Sequence, residues 1–73
     1  MSAEFRIEFT IMRRRDGEED FTEIGFGSSG AWSEVDQAMY MASSTVQNRE
    51  WETSPGMPEP RDAVDEDEEE DHG

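Results

Sequence analysis

The chain has no cysteine. Disulfides and thiolate-bound zinc are therefore excluded. It has no lysine and no leucine, so every one of its basic side chains is arginine: Arg6, Arg13, Arg14, Arg15, Arg49 and Arg61. The codon usage of a high-GC genome accounts for that bias. Salt adaptation is the second reading, and the uneven spread of acid weighs against it. The only histidine, His72, stands next to the last residue, so no histidine-based catalytic or metal constellation is expected in a packed site. No apolar run approaches the roughly 18 residues of a membrane span. The N-terminus lacks the basic-then-apolar pattern of a secretion signal. These absences lead us to expect a soluble, cytoplasmic, non-enzymatic chain without cofactor or metal.

What is abundant is acid. Twenty Asp and Glu against six Arg give 73 residues a net charge of −14. The charge is not evenly spread. Residues 1–57 carry eleven acids and five Arg, and residues 58–73 carry nine acids and one Arg. Residues 54–73 hold few sizeable apolar side chains and cannot offset their ordering entropy by burial. They are expected to form a disordered acidic tail behind a small domain of residues 1–53. Such a tail either solubilises the chain or acts as an electrostatic arm, and its acid spacing is not that of a calcium-binding loop.

Phe5, Ile7, Phe9 and Ile11 alternate with Arg6, Glu8, Thr10 and Met12, the period of a strand with one apolar face. Asp16-Gly17 is a two-residue hairpin signal, because a type I′ turn needs positive φ at both central positions. A tight turn there predicts Ile7 opposite Phe26, Phe9 opposite Ile24 and Met12 opposite Phe21. It also predicts an ion-pair ladder of Arg13 with Asp20, Arg14 with Glu19 and Arg15 with Glu18.

From Ala31 to Asn48 the apolar residues recur on one helical stripe through Trp32, Val35, Ala38, Met39, Ala42 and Val46. Ser29 and Ser33 are candidate caps. Residues 49–53 alternate again and predict a short third strand with Trp51 inward. The expected architecture is α+β, a ββαβ arrangement with sheet order 3-1-2 and one helix on one face. Its core would comprise Phe5, Ile7, Phe9, Ile11, Ile24, Phe26, Trp32, Val35, Met39, Ala42, Val46 and Trp51.

The opposite sheet face would then show Glu8, Met12, Phe21, Glu23, Glu50 and Glu52. An apolar centre with a charged rim is the pattern of a protein-binding patch, and we take these six as the candidate partner-binding residues. No Ser or Thr has a His or Lys base, and carboxylate pairs on an open face lack the pocket that shifts a pKa. Catalysis is accordingly not expected.

The stretch DFTEIGFGSSGAWSEVDQAMYMASSTVQNREWET, residues 20–53, resembles small uncharacterised accessory proteins of actinobacterial phages of the mycobacteriophage type. FTEIGFGSSGAW and QNREWET carry the likeness. It spans about half the chain and has no catalytic motif to transfer. What it implies is a phage protein acting in a host cell.

The leading expectation is thus a protein that binds and modulates a host protein with a basic surface through an acidic, DNA-mimic-like face. One alternative is a nucleic-acid-binding accessory protein using Arg13, Arg14 and Arg15, although the surrounding acid opposes approach to a polyanion. Another is a self-associating structural protein, a homodimer through its open sheet face or strand edge.

Overall fold

A computed structural model describes residues 2–64. The fold is α+β. Strand β1 runs over Glu8–Arg13, β2 over Thr22–Ser28, helix α1 over Val35–Gln47 and β3 over Glu52–Thr53. The three strands form one antiparallel sheet.

The hairpin turns at Asp16-Gly17, but not as the expected type I′ turn, because only Gly17, at φ 93°, has positive φ and Asp16 does not. The turn is closed by the Glu18 N–H donating to the Arg15 carbonyl at 3.1 Å. The register differs from the expected one. The strands start pairing at Arg13 and Thr22, and Met12 lies opposite Glu23 rather than Phe21. Residues 18–21 stay outside the ladder, so the expected rungs of Arg13, Arg14 and Arg15 with Asp20, Glu19 and Glu18 do not form. Further up, Ile11 pairs with Gly25, and Ile24 is left over as a bulge.

A one-residue bulge sends the following side chains to the other face. Ile24 therefore stays inside, at 4% exposure, while Phe26 turns outward and is 40% exposed. Opposite Ile11 and Phe9 the inner face of β2 offers Gly25 and Gly27. Their missing side chains are replaced by rings from elsewhere. A Cβ on Gly27 would meet the Phe9 ring at Cε1, 2.9 Å away, and a Cβ on Gly25 would collide with the Trp51 indole.

That last contact explains the sheet order. It is 1-2-3, with β2 central, rather than the expected 3-1-2. Trp51 packs flat over the bare Gly25 backbone, which draws residues 52–53 alongside β2 to pair Thr53 with Gly25 and Glu52 with Phe26. The opposite edge of β1 has no such gap for the indole.

Helix α1 starts later than the apolar stripe suggests. Trp32 is held extended by a two-bond bridge to Phe5, with N–H···O distances of 2.7 and 2.9 Å. Neither Ser29 nor Ser33 caps the helix. Glu34 takes the N-cap position with extended φ and ψ and no side-chain cap bond. Ser29 is buried instead. Its Oγ accepts from the Ile7 N–H at 2.9 Å and donates to the Gly30 carbonyl at 2.8 Å. Its carbonyl takes the Trp32 Nε1–H at 2.6 Å.

The C-terminus is a Schellman turn. Arg49 sits at φ 55°, its N–H donates to the Val46 carbonyl, and the Glu50 N–H donates to the Thr45 carbonyl. This is the 5→2 and 6→1 pairing that satisfies the last carbonyls.

The helix meets the sheet through its smallest side chains. Ala38 and Ala42 are buried and Met41 is half-buried, whereas Val35 and Met39, expected inside, are 47% and 53% exposed. The inward face is thus rotated towards Met41 and Thr45, because alanine at two successive inward positions lets the helix backbone approach closely. The fully buried apolar set is Ile24, Ala38, Ala42, Trp51 and Ala63. Phe5, also expected in the core, is 40% exposed.

Residues 54–64 fell to the expected tail, yet they are placed against the domain. Pro55-Gly56 makes a turn closed by the Met57 N–H on the Ser54 carbonyl at 3.1 Å, with Gly56 at φ 80°. Pro at the second and Gly at the third turn position is the type II signature. Residues 60–64 are helical, and Ala63 is only 2% exposed. The rest of the expected tail, 65–73, lies outside the described residues.

Candidate functional site

Alternation along β1 puts Glu8, Thr10 and Met12 on the face away from α1. The observed register sets Ser28, Phe26 and Glu23 across from them, and β3 sets Glu52 beside Phe26. Four of the six expected residues, Glu8, Met12, Glu23 and Glu52, therefore share one face through the ladder itself. Phe21 precedes β2 and is 61% exposed, close to Met12 at 48%. The guanidinium of Arg14 lies over its ring, 5.7 Å from the centroid. Glu50 precedes β3, and with Glu8 and Glu52 it borders an open cleft of about 690 Å³. Thr10, Phe26 and Ser28 of the outer face, Phe9 and Gly27 of the inner face, Thr45 of α1 and Trp51 complete its lining, so the cleft opens at the rim of the sheet and not on the outer face alone.

Phe26 is the residue that the sequence pattern misplaces. It stands on this face between Thr10 and Glu52, close to the carboxylate-bearing positions 8 and 50. A signal for it does exist in the sequence. Gly25-Phe26-Gly27 leaves one side of the strand bare and the other aromatic, which suits a strand whose inner face receives rings from its neighbours.

The cleft exists because β3 is short. It pairs only with Gly25 and Phe26, so β2 continues through Gly27 and Ser28 with no strand on its β3 side among the described residues. Trp51, which lines the cleft, is 6% exposed, and its Nε1 has no hydrogen-bond partner among the described residues. Behind it, Ser54 Oγ donates to Glu23 Oε2 at 2.9 Å, tying one rim carboxylate to the turn after β3.

Electrostatically the face is acidic, with Arg6 beside Glu8 and Arg14 over Phe21 as cations at its margins. Arg6 Nη2 lies 2.7 Å from Glu8 Oε2, with both side chains mostly exposed at 60% and 66%. An ion pair this open contributes little to stability and exchanges readily for another partner. At the hairpin tip Glu18 takes the place of the expected ladder. Its Oε1 accepts from the Arg15 backbone N–H at 2.8 Å, and its carbonyl accepts from Arg14 Nη1 at 2.9 Å. Arg13 and Arg15 are also engaged. The tip is a self-satisfied turn rather than an open basic cradle.

Carboxylates around an aromatic ring recognise cations. The ring face attracts a guanidinium or ammonium, and the carboxylates accept its N–H groups. Among the described residues no cluster of three or more Asp, Glu or His is arranged to hold a metal ion. Nor is any helix among them long and apolar enough to cross a membrane.

No protein-family model, curated protein or solved structure matches this chain.

Proposed function

We propose that the chain is a non-enzymatic accessory protein that binds and modulates a protein with a basic surface, using the outer sheet face as the contact. The observation that carries this reading is Phe26, exposed between Thr10 and Glu52 on a face that also bears Glu8 and Glu23, with Glu50 bordering the adjoining cleft. Carboxylates held on a rigid sheet provide the spaced negative charge that a nucleic-acid-binding surface accepts. The ring, with Met12 and Phe21 further along, supplies the apolar anchor that charge alone does not. In the setting that residues 20–53 suggest, the partner is a host protein of the phage and the surface acts as a DNA mimic.

The test is affinity capture from an actinobacterial host lysate with the full chain, the Phe26→Ala variant and the triple variant Glu8→Gln, Glu50→Gln, Glu52→Gln. Captured protein should elute as salt rises, because exposed charge is screened over about 8 Å at physiological ionic strength. Both variants should lose it. Retention by the triple variant, or indifference to salt, would remove the acidic face from consideration.

A further inference from the structure

Strand β1 is an edge strand. Among the described residues its only neighbour in the sheet is β2. The backbone groups of Phe5 and Ile7 are turned to that side. Phe5 exchanges both bonds with Trp32, the Ile7 N–H donates to Ser29 Oγ, and the Ile7 carbonyl accepts from the Ser29 N–H. By the alternation of an antiparallel ladder, the N–H and C=O of Arg6 and Glu8 point the other way, into the open. A long, unpaired edge is a template for another strand.

The charge along this edge is balanced. Residues 4–13 hold Glu4, Arg6, Glu8 and Arg13 and are net neutral, in a chain of net charge −14. Two copies meeting along this edge face no net like charge.

We propose that this edge pairs with the same edge of a second copy, antiparallel about a two-fold axis at Ile7. In that register Arg6 lies opposite Glu8 of the other copy, and Glu8 opposite Arg6, so two ion pairs flank the axis on the outer face. On the inner face Phe5 meets Phe9 and Ile7 meets Ile7, which covers the exposed Phe5 ring. Arg6 and Glu8 already share an exposed ion pair within one chain. Dimerisation extends it into a four-charge ladder instead of breaking it.

The neighbouring registers are disfavoured by charge. Sliding by two residues one way sets Glu8 opposite Glu8, and sliding the other way sets Arg6 opposite Arg6 and Glu4 opposite Glu8. Like charges directly across a ladder are destabilising. The pairing is isologous and closes on itself. It joins two three-stranded sheets into one, engages only Glu8 of the acidic face and leaves Phe26, Glu23 and Glu52 exposed, so a dimer can be found whether or not the proposed partner exists.

Sedimentation of the full chain over a concentration series tests it, with far-UV circular dichroism as the check that each variant folds. The wild-type chain should be a reversible dimer. Arg6→Glu and Glu8→Arg should each weaken association about tenfold or more. The double variant Arg6→Glu, Glu8→Arg should restore it, since opposite charges again face each other. In the dimer the backbone amides of Arg6 and Glu8 should be protected from hydrogen exchange, and dilution should remove that protection. A chain that stays monomeric to millimolar concentration overturns the inference. So does a dimer that the single reversals leave intact, or a double variant that fails to recover.

Discussion

The indole of Trp51 lies against the backbone of Gly25, in the space that any side chain at that position would occupy. This contact decides which edge of the hairpin receives the third strand. It also buries the largest side chain of the core, at 6% exposure.

Gly25→Ala should therefore be costly. The added Cβ would meet the indole and come within 2.8 Å of the Glu52 carbonyl oxygen, so ring and strand must both move. Overpacking of this kind costs about 1–3 kcal/mol, and here it acts where β3 joins β2. Urea denaturation should show a loss of at least about 2 kcal/mol. Gly27→Ala should lose less, because the Phe9 ring that it meets is only half-buried and can swing aside.

Trp51 itself separates ring packing from hydrogen bonding. Its buried Nε1–H has no acceptor. Trp51→Phe removes that unsatisfied donor together with part of the ring, and the two effects oppose each other. Trp51→Ala removes the whole plug and should cost about 3–5 kcal/mol. Phenylalanine should recover more than half of that loss in thermal denaturation. Equal losses for the two variants would mean that the indole nitrogen is bonded after all.

Arg49 occupies a left-handed conformation at φ 55°, at the position after the C-cap of α1 where glycine is the common choice. Arg49→Gly should stabilise the protein by about 0.5–1 kcal/mol. The side chain gives up only an exposed bond to the Gln47 carbonyl. A lower midpoint in urea would count against the Schellman turn as described.

Residues 54–64 should matter to the fold. Ser54 is bonded to Ile24 through its N–H and to Glu23 through its hydroxyl, and Ala63 is buried. A chain ending at Thr53 should lose at least about 2 kcal/mol, from one buried hydrogen-bonded hydroxyl and the apolar contact at Ala63. Ala63→Asp in the full chain should destabilise comparably by burying a carboxylate. If both changes leave the denaturation midpoint in place, these residues do not belong to the folded unit.

Much of this architecture is legible in the residues. The alternation from Phe5 to Met12 marks a strand and its inner face. Asp16-Gly17 marks the turn, and Ala38 with Ala42 lies within the helical stripe. Trp51 reads correctly as an inward residue, although the expected strand over residues 49–53 forms only at Glu52–Thr53, just after it. Four of the six candidate contact residues share one face because β1 alternates regularly and the ladder sets Glu23 opposite Met12 and Glu52 beside Phe26. Pro55-Gly56 was just as legible as a type II turn, but its acidic surroundings pointed to a tail.

By itself the sequence determined the element types, the acid-rich outer face and the neutral strip along β1, since these follow from local periodicity and from the charges as written. The tertiary structure decided the register, the strand order and the position of Phe26. The reason is that a bulge at Ile24 changes no local pattern yet reverses every side chain beyond it. Two glycines on the inner face of β2 say nothing about which rings will fill the space they leave, and only the arrival of Phe9 and Trp51 settles that.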